Sequence, residues 1–142
     1  MRSLDLSYNL IEIGEGAFQE TALSGELTIP HSVVSIGDSA LIGLASLDYL
    51  VLGKNIEYIG SYAFSNCLEF HGPLILTNNV KKIGEYAFCN CSSFNYIRLS
   101  DSITSIGDYA FCNLTGVNQL NKIPSSLITI GNYSFALIWL LK

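Results

Sequence analysis

The chain has 142 residues, 49% of them apolar and 13% charged, and carries a net charge of −5, which suits one folded unit rather than two. Its seven Lys and Arg are scattered, so there is no basic patch for a phosphate backbone and nucleic acid is not an expected partner. The longest apolar run, 135–141, is far too short to span a bilayer, so this segment is not expected to insert into a membrane.

The first element in chain order is Leu4-Asp5-Leu6-Ser7-Tyr8-Asn9, which reads as the strand of an earlier repeat. The phrase Ile-Gly-x-x-Ala-Phe then opens at Ile13-Gly14. It returns at Ile36-Gly37, Ile59-Gly60, Ile83-Gly84, Ile106-Gly107 and Ile130-Gly131, in steps of 23, 23, 24, 23 and 24 residues. A fixed period of about 20–29 residues marks a solenoid, in which each coil buries its apolar residues only against its neighbours.

Within each copy the fifth residue after the Ile is apolar and large: Phe18, Leu41, Phe64, Phe88, Phe111, Phe135. An alternating run follows, as in Leu27-x-Ile29, Leu50-x-Leu52, Leu74-x-Leu76 and Ile97-x-Leu99. Alternation sends two side chains inward and the ones between them outward, so this run is a predicted strand. Stacked in parallel at about 4.8 Å per coil, about six coils span roughly 25–30 Å. The segment after Ile-Gly is predicted to be a one-turn helix, capped by Asp38, Ser61, Asp108 or Asn132. Seven residues after the Ile stands Gly43, Asn66, Asn90 or Asn113. These residue types enter left-handed backbone cheaply, so the chain is expected to turn there.

Ile29-Pro30-His31-Ser32-Val33-Val34-Ser35-Ile36-Gly37 and Ile59-Gly60-Ser61-Tyr62-Ala63-Phe64-Ser65-Asn66-Cys67 resemble the BspA-like, or Treponema pallidum-type, leucine-rich repeats. The resemblance covers essentially residues 3–136. It implies a leucine-rich-repeat solenoid (an α/β repeat, mostly β) with a parallel strand ladder. On this reading 1–142 is a single solenoid and a fragment of a longer array, and 136–142 is an off-pattern C-terminal segment. Three places depart from the template. Leu41 replaces Phe in the second copy, and Gly72-Pro73 adds a residue to the third. In the fifth, Asn121 falls at an apolar position if Ile123 is aligned on Leu99, so that strand is expected to be ragged.

The side chains that could carry chemistry have structural explanations. Cys67 and Cys91 share one register, and Cys89 and Cys112 another. Apolar residues substitute in the first, so all four are read as core thiols, with a disulfide or metal as the alternative. No zinc-type Cys-x-x-Cys pair is present. His31 and His71 are read as turn or surface residues, with no third group to make either a catalytic base. The carboxylate register Glu15, Asp38, Glu85, Asp108 is a poor calcium cage and is read as capping. Tyr62, Tyr86, Tyr109 and Tyr133 are expected to pack on one another outside the coil. Asn90-Cys91-Ser92, Asn113-Leu114-Thr115 and Asn132-Tyr133-Ser134 are glycosylation acceptors in form only, a weak pointer to a secretory route. No cofactor, metal or catalytic residue is expected, and the chain is read as a non-enzyme.

The expected partner-binding residues are the outward positions of the strand ladder: Tyr49, Val51, Ile75, Tyr96 and Arg98. Exposed aromatic and apolar residues on a sheet are the anchors a protein interface uses. The expected partner is therefore a protein. The family resemblance implies a cell-surface or secreted antigen adhering to a host surface or matrix protein. An intracellular scaffold using the same face is the alternative.

Overall fold

The computed structural model describes residues 4–138. Among them lie eleven short strands and no helix. The odd-numbered strands are β1 Glu12–Ile13, β3 Ser35–Ile36, β5 Tyr58–Ile59, β7 Lys82–Ile83, β9 Ser105–Ile106 and β11 Thr129–Ile130. The even-numbered ones are β2 Gly25–Thr28, β4 Leu47–Val51, β6 Gly72–Ile75, β8 Phe94–Arg98 and β10 Gln119–Leu120. Every pairing is parallel, with each strand beside its equivalent one coil away, as stacked repeats require.

The odd strands form an unbroken six-stranded ladder, β1-β3-β5-β7-β9-β11. Each is only two residues long and ends on the Ile of the repeated phrase. Ile13, Ile36, Ile59, Ile83 and Ile106 are buried at 2% exposure. The Gly that follows each Ile is set by close approach of backbones. A Cβ on Gly60 would lie 2.6 Å from the Asp38 nitrogen, and one on Gly84 2.5 Å from the Ser61 nitrogen, whereas one on Gly14 would meet nothing within 4 Å.

Four of the even strands, β2, β4, β6 and β8, overlap the predicted alternating runs, each starting earlier and ending before the second apolar residue of its run. The even strands do not form one ladder: β2 pairs with β4, and β6-β8-β10 form a separate sheet. Leu4 bridges Leu27 in parallel, so the opening Leu4–Asn9 segment begins the strand register of an earlier coil. Between the two sets of strands lies a single core. The rings of Phe64, Phe88, Phe111 and Phe135 stack through it, with centroids 5.2, 5.7 and 5.2 Å apart.

The predicted one-turn helices are replaced by chains of tight turns. Ala63, Ser65 and Cys67 donate to the carbonyls three residues back, at 3.3, 3.1 and 3.4 Å. The alternate amides of Tyr62, Phe64 and Asn66 donate to the next coil's Glu85, Ala87 and Cys89 carbonyls, at 2.8, 2.8 and 2.9 Å. A helix is ruled out by two left-handed residues per turn segment. The seventh position after the Ile has positive φ in all six copies, including Gly43 (72°), Asn66 (62°) and Asn113 (57°), as expected. The third position does too, and it holds Tyr62 (59°), Tyr86 (54°), Tyr109 (56°) and Tyr133 (53°). A right-handed helix cannot pass through such residues. The carboxylates read as helix caps therefore serve the neighbouring coil: Asp38 Oδ1 accepts the Ser61 amide at 2.8 Å, and Asp108 Oδ1 accepts that of Asn132 at 2.7 Å.

The fifth coil is ragged for a different reason from the alignment on Ile123. Leu120 pairs with Ile97, which leaves Ile123 51% exposed. Asn121 turns its side chain back on the ladder, where its Oδ1 accepts the Leu99 amide at 2.8 Å. At the C-terminal end, Ala136 O accepts the Asn113 amide and Leu137 has positive φ, as its equivalents do. Trp139–Lys142, the rest of the segment expected to be off-pattern, lie outside the described residues.

Candidate interaction surface

The strand side of the solenoid carries the five predicted partner-binding residues. Tyr49 and Val51 are each 47% exposed, while Ile75, Tyr96 and Arg98 are half-buried. β8 places Tyr96 opposite Pro73 and Arg98 opposite Ile75, so the five fall on three successive strands. Asp48 and Asn95 are the extra residues of two β-bulges, since Gly25 pairs with Leu47 but Glu26 with Tyr49, and Gly72 with Phe94 but Pro73 with Tyr96. Such bulges re-aim the side chains beside them.

The third coil carries its added residue ahead of the paired positions, since Gly72 and Leu74 on β6 face Phe94 and Ile97 on β8 and the bulge lies on β8. Two residues separate the buried Leu47 from the partly buried Leu50 on β4, and two separate the buried Phe94 and Ile97 on β8. Between Phe70 and Leu74 there are three: His71, Gly72 and Pro73. Three residues between two inward positions is a spacing that alternation permits, and Leu23 and Leu27 of the first coil share it, with Gly25 (φ 85°) in the place of Gly72. Gly72 itself has a φ of 78°, which is cheap only for glycine. Pro73 then removes one amide donor from the ladder. Between β4 and β6 pairing stops.

A cleft of about 390 Å³ occupies this gap. Tyr49, Val51 and Ile75 line it, so the structure gathers three of the predicted residues at one place. Tyr96 and Arg98 stand one strand beyond and are not part of its lining. The lining also includes Glu26, His71, Pro73 and Thr77, which the repeat template did not single out. Gly72-Pro73, read above only as a departure, marks the coil that brings His71 and Pro73, while Glu26 stands opposite Tyr49 by the β2–β4 register. His71 is fixed at the rim. Its ring lies 4.2 Å from that of Tyr49, its Nδ1 is 2.9 Å from the Glu69 carbonyl, and its amide donates to Asp48 O at 3.0 Å. Glu26 Oε1 accepts the Thr28 hydroxyl at 3.0 Å. The ion pairs among the described residues, Lys81–Glu57 and Lys122–Asp101, do not involve the cleft.

The turn side is consumed by contacts between coils. The four tyrosine rings stack as expected, with centroids 4.8, 4.7 and 5.2 Å apart. Burial raises the Tyr86 phenol above the usual tyrosine range, with the neighbouring Tyr109 and Tyr62 adding to the shift. Asn90 Nδ2 donates to Asn66 Oδ1 and Asn113 Nδ2 to Asn90 Oδ1, both at 2.7 Å. The nitrogens a glycan would need at Asn90 and Asn113 are thus held in an amide ladder. His31 is a turn residue, its Nδ1 accepting the Lys54 amide at 3.1 Å.

The cysteines divide by register. Cys67 and Cys91 are buried free thiols, their Sγ atoms directed at the Leu41 and Phe64 carbonyls at 3.2 and 3.0 Å. Burial pushes the Cys91 thiol well above its ordinary range. Cys89 and Cys112 depart from the core-thiol expectation and form a disulfide between adjacent coils. Their Cα atoms are 4.6 Å apart, within bridging distance. Both side chains leave the segment away from the phenylalanine core, where the two sulfurs can meet.

A family model described as BspA type leucine rich repeat region matches six copies, over residues 1–72 and 72–142. No curated protein matches the chain in sequence. Among solved structures, the Treponema pallidum leucine rich repeat protein is 22% identical with a TM-score of 0.78; the match covers 94% of this chain and 72% of that one. A leucine-rich repeat protein from Eubacterium ventriosum is 21% identical with a TM-score of 0.84, over 96% of this chain and 37% of that one. A leucine rich cell surface protein from Faecalibacterium prausnitzii is 22% identical with a TM-score of 0.61, over 94% and 42%. At these identities the structures establish the fold.

Proposed function

Since this chain belongs to the BspA type leucine-rich-repeat family, whose repeats make a protein-interaction module, we propose that it serves a cell-surface or secreted protein that adheres to host proteins or cells. The observation that carries the reading is the strand face: Tyr49 and Val51 stand 47% exposed there, with Ile75, Tyr96 and Arg98 beside them on β6 and β8. Two further observations support an extracellular location. The Cys89–Cys112 disulfide suits an oxidising compartment, and one structural neighbour is described as a cell surface protein. The reading is of a binding module without catalysis.

The experiment is antibody labelling of the full-length protein on intact cells, paired with adhesion of wild type and a Tyr49→Ser/Tyr96→Ser variant to host cells. Surface labelling that mild protease removes, with adhesion weakened in the variant, is the expected result. Labelling only after permeabilisation contradicts the adhesin and leaves an intracellular scaffold. Adhesion unchanged in the variant moves the site off the strand face.

A further inference from the structure

We propose that the cleft between β4 and β6 receives an extended peptide with one large apolar side chain next to a lysine or arginine. This deepens the protein-interaction reading and rests on it. The proposal starts from the insertion. The step from Ile59 to Ile83 is one residue longer than the steps on either side of it, and its strand β6 opens on Gly72-Pro73. There the ladder parts and an apolar cavity forms. Its volume of about 390 Å³ is at the small end of ligand sites, about 300–1,000 Å³. That holds one large side chain with its flanking backbone.

The shape favours a peptide. β4 and β6 flank the cleft as strands with no ladder between them, and unpaired strand flanks are what an extended backbone docks against. Val51 and Ile75 offer apolar walls across the gap, and the Tyr49 ring, braced by His71, forms one end. The charge specifies the neighbouring residue. Glu26 is the one formally charged residue of the lining, and no ion pair among the described residues includes it. Asp48 and Glu69 lie in the adjoining backbone on either side of the gap, with Arg98 one strand beyond. A cation beside the apolar anchor answers this field, and a carboxylate there is repelled.

The test uses two fluorescent pentapeptide pools with a fixed central phenylalanine, one flanked by lysine and one by glutamate, titrated into the whole chain. The lysine pool is expected to bind with a Kd on the order of 100 μM, as a single anchor allows. It should bind about fivefold tighter than the glutamate pool. Glu26→Gln should cut that ratio below about twofold. Val51→Trp, which fills the cleft from an exposed position, should weaken the lysine pool at least about tenfold while leaving the thermal melt in place. Equal binding by the two pools, or no binding by either up to about 1 mM, overturns the cleft proposal. Binding that survives Val51→Trp but is lost in Tyr96→Ser or Arg98→Ala overturns the cleft and leaves the strand-face reading standing. Binding that survives every one of these variants overturns both.

Discussion

The turn side and the strand side of this solenoid come from the same six repeats and respond differently to imperfection in them. On the turn side the ladder is continuous through all six coils. Phenylalanine, tyrosine and asparagine stacks run along it, and a disulfide ties two coils together. The strand side is divided into two sheets between β4 and β6, where Tyr49 and Val51 are exposed. Stability in a repeat protein is a sum of neighbour interfaces. The turn side therefore holds the coils in register, and the strand side is free to depart from the template without unfolding the rest.

The largest test of this contrast is Phe88→Ala. Phe88 is fully buried between Phe64 and Phe111, and its loss should cost about 3–5 kcal/mol by chemical denaturation. Tyr49→Ser with Tyr96→Ser on the strand face should shift the same midpoint little, about 0.5 kcal/mol per site. Comparable losses from both would erase the distinction. Reducing the Cys89–Cys112 bond, which closes a separation of 23 residues, should cost about 3 kcal/mol by loop entropy. In the oxidised protein, thiol titration should find Cys67 and Cys91 only after denaturation, since both are buried; reactive thiols in the native state would contradict the pairing.

Gly84→Ala should destabilise by about 1–3 kcal/mol, because the new Cβ would meet Ser61 backbone at 2.5 Å. Gly14→Ala, with open space around it, should cost less than about 0.5 kcal/mol. Equal costs in a thermal melt would show that close coil approach is not what the glycines serve. The smallest effect is alkaline. Burial raises the folded Tyr86 phenol above its unfolded value, so its contribution is intact below the unfolded value of about 10 and is lost as pH rises through the folded one. Tyrosinate absorbance should show a late-titrating step that Tyr86→Phe removes; an unchanged titration curve would place that phenol in open solvent.

How far the sequence discloses this depends on the length of the signal. The period and the Phe register recur six times, and they prescribe the solenoid and its core. The alternating runs are long enough to read as strands. The two-residue strands that end on each Ile are too short to show alternation, so the six-stranded ladder they form gives no signal of its own in the sequence. Asn66 and Gly43 advertise left-handed backbone by residue type. Tyr62 and Tyr86 adopt it through ring stacking and coil-to-coil amide bonds, which no single-residue preference reports. The cysteine registers look alike in sequence, and only the direction of each side chain separates the core thiols from the bridge. In the candidate site, Tyr49, Val51 and Ile75 were legible as outward strand positions. Glu26 joins them by facing Tyr49 across β2 and β4, and His71 by its ring contact with Tyr49, both relations between coils that no single repeat reports.

The most direct test of the account is nuclear magnetic resonance mapping of the lysine-flanked peptide pool on the isotopically labelled chain. The account predicts shifts centred on Glu26, Tyr49, Val51, His71 and Ile75, with the Tyr62–Tyr133 stack undisturbed. Shifts centred on that tyrosine stack, with β4 and β6 silent, would contradict it.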